Sequence, residues 1–121
     1  MMKSEDKAKF KLALTRVLEK LPELVENNLP EEGVAQPVKI TLPIVGTQNE
    51  AVFLFDNATA PYIGKRTLVI GARKAGQDKT FAFNALTGKD RSEILEYLRK
   101  DGLADQLTER LAKLSDMADN N

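Results

Sequence analysis

A segregated α+β fold is predicted for this chain by three features of its 121 residues. Apolar residues recur at helical spacing near both ends and at period two in between. The period-two runs follow one another through links too short for parallel crossovers, which need a dozen residues or more. Helical and strand segments do not alternate, as they would in a doubly wound fold. The expected architecture is an N-terminal amphipathic helix, a four-stranded, mainly antiparallel sheet in meander order, and two C-terminal helices. The length predicts one domain. Residues 1–28 form its N-terminal helical segment, 36–86 its sheet and 90–118 its C-terminal helices.

Each element has its own signal. Ser4 is a candidate N-cap, with Glu5 and Asp6 in the first turn, where acids favour the helix dipole. Phe10, Ala13, Leu14, Val17, Leu18 and Leu21 then mark one helical face. Pro22 should kink or end that helix, because it offers no N–H to the preceding turn; Leu24 and Val25 would belong to a second short helix. Leu29-Pro30-Glu31-Glu32-Gly33 reads as a loop. Val38, Ile40, Leu42 and Ile44 alternate with polar residues in a first strand, and Pro43 places its end at a sheet edge. The run AVFLFDN is apolar on both faces, which predicts cover on both sides. The third strand runs from Arg66 to Ala72 and the fourth from Lys79 to about Ala85. Asp90 and Glu93 have capping-box spacing. Ile94, Leu95 and Leu98 form one helical face. Gly102 is a helix-terminating glycine. Leu103, Leu107, Leu111, Leu114 and Met117 line a last helix, and the polar tail from Asp116 frays.

Composition excludes much chemistry. With no cysteine and no histidine, the chain has no disulfide, no thiolate metal site, no serine–histidine or cysteine–histidine couple and no imidazole ligand. No cofactor and no metal are expected. MMKSEDKAKF lacks an apolar signal core and no run reaches the roughly 20 apolar residues that span a bilayer, so the expected location is the cytoplasm. The 18 basic and 18 acidic residues cancel but are segregated. Residues 1–20 hold 6 basic and 3 acidic side chains, 21–60 hold 1 and 6, 61–91 hold 7 and 2, and 92–121 hold 4 and 7.

The stretch TLVIGARKAGQDKTFAF comes close to a phosphate-binding loop. That motif needs lysine directly after the second glycine and a helix directly after the hydroxyl. Here Gln77 and Asp78 intervene, and KTFAFNA has period two. Ala75-Gly76-Gln77-Asp78 is therefore a hairpin tip, with Gly76 at positive φ. Gly71, within the apolar strand, marks a bulge or a close backbone approach. Phe81 and Phe83 should share the helix-covered side of the sheet.

Two interaction readings follow, and neither is an enzyme. With histidine and cysteine absent, carboxylates and lysines are the remaining candidates for catalysis, but Glu50, Asp56 and Asp78 each sit beside turn formers, where acids are expected anyway. In the leading reading the protein is a small binding or assembly module that contacts a protein partner or a second copy of itself. Leu107, Leu111 and Leu114 are then the candidate interface, although the same stripe suits packing on the sheet. In the alternative, Lys65, Arg66, Arg73, Lys74 and Lys79 form a basic hairpin that tracks the phosphates of a single-stranded nucleic acid, with aromatic rings for stacking. The order of four strands then a helix resembles that of single-strand-binding transcription cofactors of the Whirly type, in element order and without a shared motif.

Overall fold

The structure, a computed structural model, describes residues 2–31 and 33–120. Its elements are α1 (Ser4–Asn28), β1 (Val38–Pro43), β2 (Asn49–Asn57), β3 (Arg66–Lys74), β4 (Thr80–Lys89), α2 (Arg91–Leu98) and α3 (Leu103–Asp119). The four strands pair in sequence order, every neighbour antiparallel. The predicted helix, four-stranded meander and two C-terminal helices are all present.

Alternation sorts the strands into two faces. Val38, Ile40 and Leu42 of β1 lie opposite Phe55, Phe53 and Ala51 of β2. Phe55 and Phe53 lie opposite Leu68 and Ile70 of β3, and Ile70 lies opposite Phe83 of β4. This inner face joins Phe10, Leu14, Leu18, Leu21 and Val25 of α1, Ile94 and Leu98 of α2, and Leu103, Leu107 and Leu111 of α3 in the core. All three helices therefore cover the same side. Each fully buried leucine or phenylalanine there contributes about 1.5–3 kcal/mol, enough for the core to outweigh weak local preferences.

Such a preference is overridden at Pro22. α1 runs unbroken from Ser4 to Asn28 with the proline inside it, rather than as two helices. Leu18, Leu21 and Val25 lie on one buried stripe across the proline, so ending the helix would pull Val25 from the core. Ser4 is the first helical residue and not the cap; Lys3 takes that place with no side-chain cap bond. β3 and β4 run further than their sequences predict, to Lys74 and Lys89. The register slips around Leu68, which lies opposite Leu86, so β4 absorbs extra residues as an irregular, bulged end.

The turns follow the sequence more closely. Gly76 has φ +81 and the Gln77 N–H donates to the Lys74 carbonyl at 3.0 Å, closing the hairpin. The Asp90 N–H donates to Glu93 Oε1 at 3.2 Å within the capping box that starts α2. Gly102, at φ +77, turns the chain between α2 and α3. Of the predicted loop at 29–33, Glu32 lies outside the described residues, as does Asn121 of the tail; α3 stays helical to Asp119.

Candidate interaction surface

The five basic candidates do not form one groove. Arg66 and Lys74 are the two ends of β3, eight steps apart, or about 27 Å at a strand's rise. Lys65 pairs with Asp90 beyond the Arg66 end. Arg66 is 1% exposed and belongs to the inner face. Arg73 points to the other face, where its Nε donates to Glu50 Oε1 at 2.8 Å in a partly buried pair. Lys79 lies over the Phe81 ring at 5.3 Å and Arg110 over the Phe83 ring at 3.5 Å. Both phenylalanines thus present a ring face to a cation of the same chain rather than to an incoming base. Both lie on the helix side, as predicted, but each is only half-buried.

The leucine stripe is also occupied within the chain. Leu107 is 3% exposed and Leu111 is fully buried against the sheet, and the half-buried Leu114 packs on the same core. These residues hold α3 to β3, β4 and β2, so they offer no seam to a second copy. Nor do the carboxylates pair. Glu50 is bound to Arg73, and Asp56 lies six residues along β2, about 20 Å away. Among the described residues no group of three or more acids could hold a metal ion, and no helix is long and apolar enough to cross a membrane.

At the Asn57–Arg66 end of the sheet the chain does something else. Asn57 and Arg66 are cross-strand partners, and both side chains reach out to hold loops. Asn57 Nδ2 donates to the Ala35 carbonyl at 2.6 Å, and its Oδ1 accepts the Ala35 N–H at 2.9 Å. The Arg66 guanidinium donates to the carbonyls of Gly64 at 3.1 Å, Lys65 at 3.3 Å and Pro30 at 3.2 Å. A guanidinium stays charged when buried, so it needs such acceptors. Its Nε alone has no partner. The loop between β2 and β3 is further closed by its own backbone. Ala58 N–H donates to Lys65 O at 3.0 Å, Tyr62 N–H to Thr59 O at 2.9 Å and Lys65 N–H to Tyr62 O at 2.9 Å. The Tyr62 ring lies against Gly88, where a Cβ would come within 2.6 Å of its Cγ.

These fastenings hold apolar side chains out in water. Val34 is 84% exposed, Ile63 79% and Tyr62 48%. Two of them flank fastened residues directly, Val34 beside Ala35 and Ile63 beside Gly64. Next to them lies a cavity of about 510 Å³ lined by Glu31, Lys65, Asp90, Arg91 and Leu95 among others. Its charges are matched: Lys65 meets Asp90, and Arg91 Nη2 lies 2.7 Å from Glu31 Oε1. The Lys65 hydrogen bond holds the Asp90 carboxyl below its ordinary value. Sequence reading missed Val34, Ile63 and Asn57 as a group. Its available signal was an isoleucine within the turn sequence Pro61-Tyr62-Ile63-Gly64, where a polar residue would serve the turn equally well.

Val52 and Leu54 of β2 and Val69 of β3 turn away from the helices, and Val52 lies outside the core although buried. The helices supply the cover predicted for β2 on its inner face; on its outer face Val52 is only 6% exposed and Leu54 is half-buried. In comparisons with protein-family models, curated proteins and solved structures, nothing matches this chain.

Proposed function

We propose that this protein is a non-enzymatic protein-binding module whose contact surface is the fastened loop end carrying Val34, Tyr62 and Ile63. The observation that carries the reading is the exposure of Val34 and Ile63 on loops that the half-buried Asn57 and the buried Arg66 hold in place. A flexible loop could fold such residues inward; a fastened one cannot, and an ordered apolar contact loses little entropy when a partner covers it. Aromatic and aliphatic anchors within a polar rim are the usual centre of a protein interface. The rim here carries matched ion pairs, which suits a protein partner better than a polyanion.

Site-specific photo-crosslinking tests this. A photoreactive residue is placed at position 63 or 34, with position 20 on the outer side of α1 as control. Protein adducts should form at 63 and 34, and unlabelled protein should compete them away while its Ile63→Asp variant does not. Equal adducts at position 20, or equal competition by the variant, would remove the basis for the reading.

A further inference from the structure

We infer that the acidic groove between α1 and the α2–α3 turn is the docking site for an arginine-bearing segment of a partner protein. The groove has a volume of about 710 Å³, within the range of ligand clefts. Glu19, Glu23 and Glu26 form one wall, from one face of α1. Asp101 and Gly102 of the turn and Asp105 of α3 form the other. The lining holds five carboxylates against two cations, Arg99 and Lys100. None of Val34, Tyr62 and Ile63 lines it, so it is a second surface, independent of the loop end.

Ion pairs close the groove at both ends along α1. Lys11 Nζ lies 2.5 Å from Asp105 Oδ1, and Arg99 Nη2 lies 3.3 Å from Glu26 Oε1. Between them Glu19, Glu23 and Asp101 are exposed and, among the described residues, have no ion-pair or hydrogen-bond partner. Lys100 is the lining's unpaired cation. Three unmatched carboxylates against one unmatched cation leave the groove complementary to a positively charged side chain. Glu19 and Glu23 are also four residues apart, a like-charge spacing that disfavours a helix.

The same turn of helix carries Pro22. It leaves the Leu18 carbonyl without its usual helical donor, and Leu18 is only 7% exposed. A carbonyl so buried needs a donor from elsewhere. Leu18 and Pro22 both line the groove, so a donor seated there can supply it. Two locally unfavourable features, the orphaned carbonyl and the like-charged pair, thus fall on one turn and border one cavity. Local rules broken together at one place are expected at functional sites. One ligand relieves both: a cation with several N–H donors. A guanidinium is always charged and offers five donors in a planar fork, against the three of a strongly hydrated ammonium. Its apolar stem can pack on the half-buried Pro22 and Ala104.

The test is an amide NMR titration with the dipeptide acetyl-arginyl-arginine amide. A range of about 0.1 to 10 mM covers a contact built on a few charged hydrogen bonds. Saturable shifts should concentrate at residues 18–26 and 98–105. The dilysine and dicitrulline analogues should each bind at least about tenfold more weakly. Glu19→Gln together with Glu23→Gln should abolish saturation with unchanged circular dichroism, since both side chains are exposed. Pro22→Ala restores the helical donor and keeps every carboxylate. It should weaken binding roughly tenfold, the loss of one hydrogen bond to a charged group. Ile63→Asp should bind as the wild type does, which separates this site from the loop end. An absence of saturable shifts, or shifts spread over acidic residues elsewhere, would overturn the inference. So would equal binding of dilysine or dicitrulline, unchanged binding by the double variant or by Pro22→Ala, or its loss in Ile63→Asp.

Discussion

Gly71 shows how a single residue is constrained by its neighbour across the ladder. Its conformation needs no positive φ, but the β4 backbone lies where a methyl would go, with the Phe81 carbonyl at 2.7 Å. Gly71→Ala should therefore cost about 1–3 kcal/mol, because a backbone atom must move to admit it; urea titration reads the loss, and a stabilised variant would refute the packing. Asn49 is the polar counterpart. It is 3% exposed, and its Nδ2 donates to Ser115 O at 3.1 Å, Ser115 Oγ at 2.7 Å and Asp119 Oδ1 at 2.9 Å. Those bonds tie the start of β2 to the last turn of α3. Asn49→Asp replaces the donor with a charge facing an acid and a carbonyl, and should cost about 3–5 kcal/mol at neutral pH. A variant as stable as the wild type would show that this tie is not made.

Among the elements, α1 carries the clearest conflict between local and tertiary preference. Pro22 leaves the Leu18 carbonyl without its usual helical donor, yet the helix continues to Asn28. Pro22→Ala should then stabilise the protein by up to about 3 kcal/mol, the difference in helix propensity, seen as a raised denaturation midpoint. A destabilised variant would mean that the proline ring itself packs productively. α2 provides a pH signature. Lys65 lowers the Asp90 carboxyl from 3.8, so its contribution is complete above that value and is lost as pH falls through the lower folded one. The urea midpoint should decline below about pH 4, and Lys65→Met should flatten part of that decline. On the other side of α2, burial raises the Tyr97 hydroxyl above 10.0 while Arg110 opposes the shift. Its contribution is present below 10 and is lost as pH rises through the folded value.

At the scale of the whole molecule, charge is dispersed, and the two most exposed large apolar side chains, Val34 and Ile63, lie at one end of the sheet. Arg66 is buried, Arg73 is paired, and the remaining basic candidates divide between opposite ends of the sheet. Labelled single-stranded DNA and RNA should therefore show no anisotropy change at micromolar protein in low salt. Saturable binding whose affinity falls with salt at a log–log slope of roughly −0.7 per phosphate contact would reverse that expectation. Arg73 is also a poor place for a charge reversal, since it would set two carboxylates together at Glu50; Lys74 is the cleaner choice. In the same way, a polar residue at Leu107 or Leu111 should unfold the protein rather than shift its association, because truncating such buried leucines to alanine already costs about 2–5 kcal/mol. Loss of association with an intact circular-dichroism spectrum would return these leucines to an interface.

The sequence by itself determined the class and order of elements, the hairpin and the capping box. These rest on short-range physics: hydrophobic period, the positive φ of Gly76 and a four-residue cap are written within one or two turns of chain. It also determined that β2 is apolar on both sides, but not what lies against each side. Only the tertiary structure decided that all three helices share one face, that the leucine stripe of α3 is core, and that Arg66 is a buried fastener rather than part of a basic groove. Those outcomes depend on pairings between residues far apart in sequence, Pro30 with Arg66 and Ala35 with Asn57. A side chain's type says what bonds it needs, and only the folded chain says which distant groups arrive to make them.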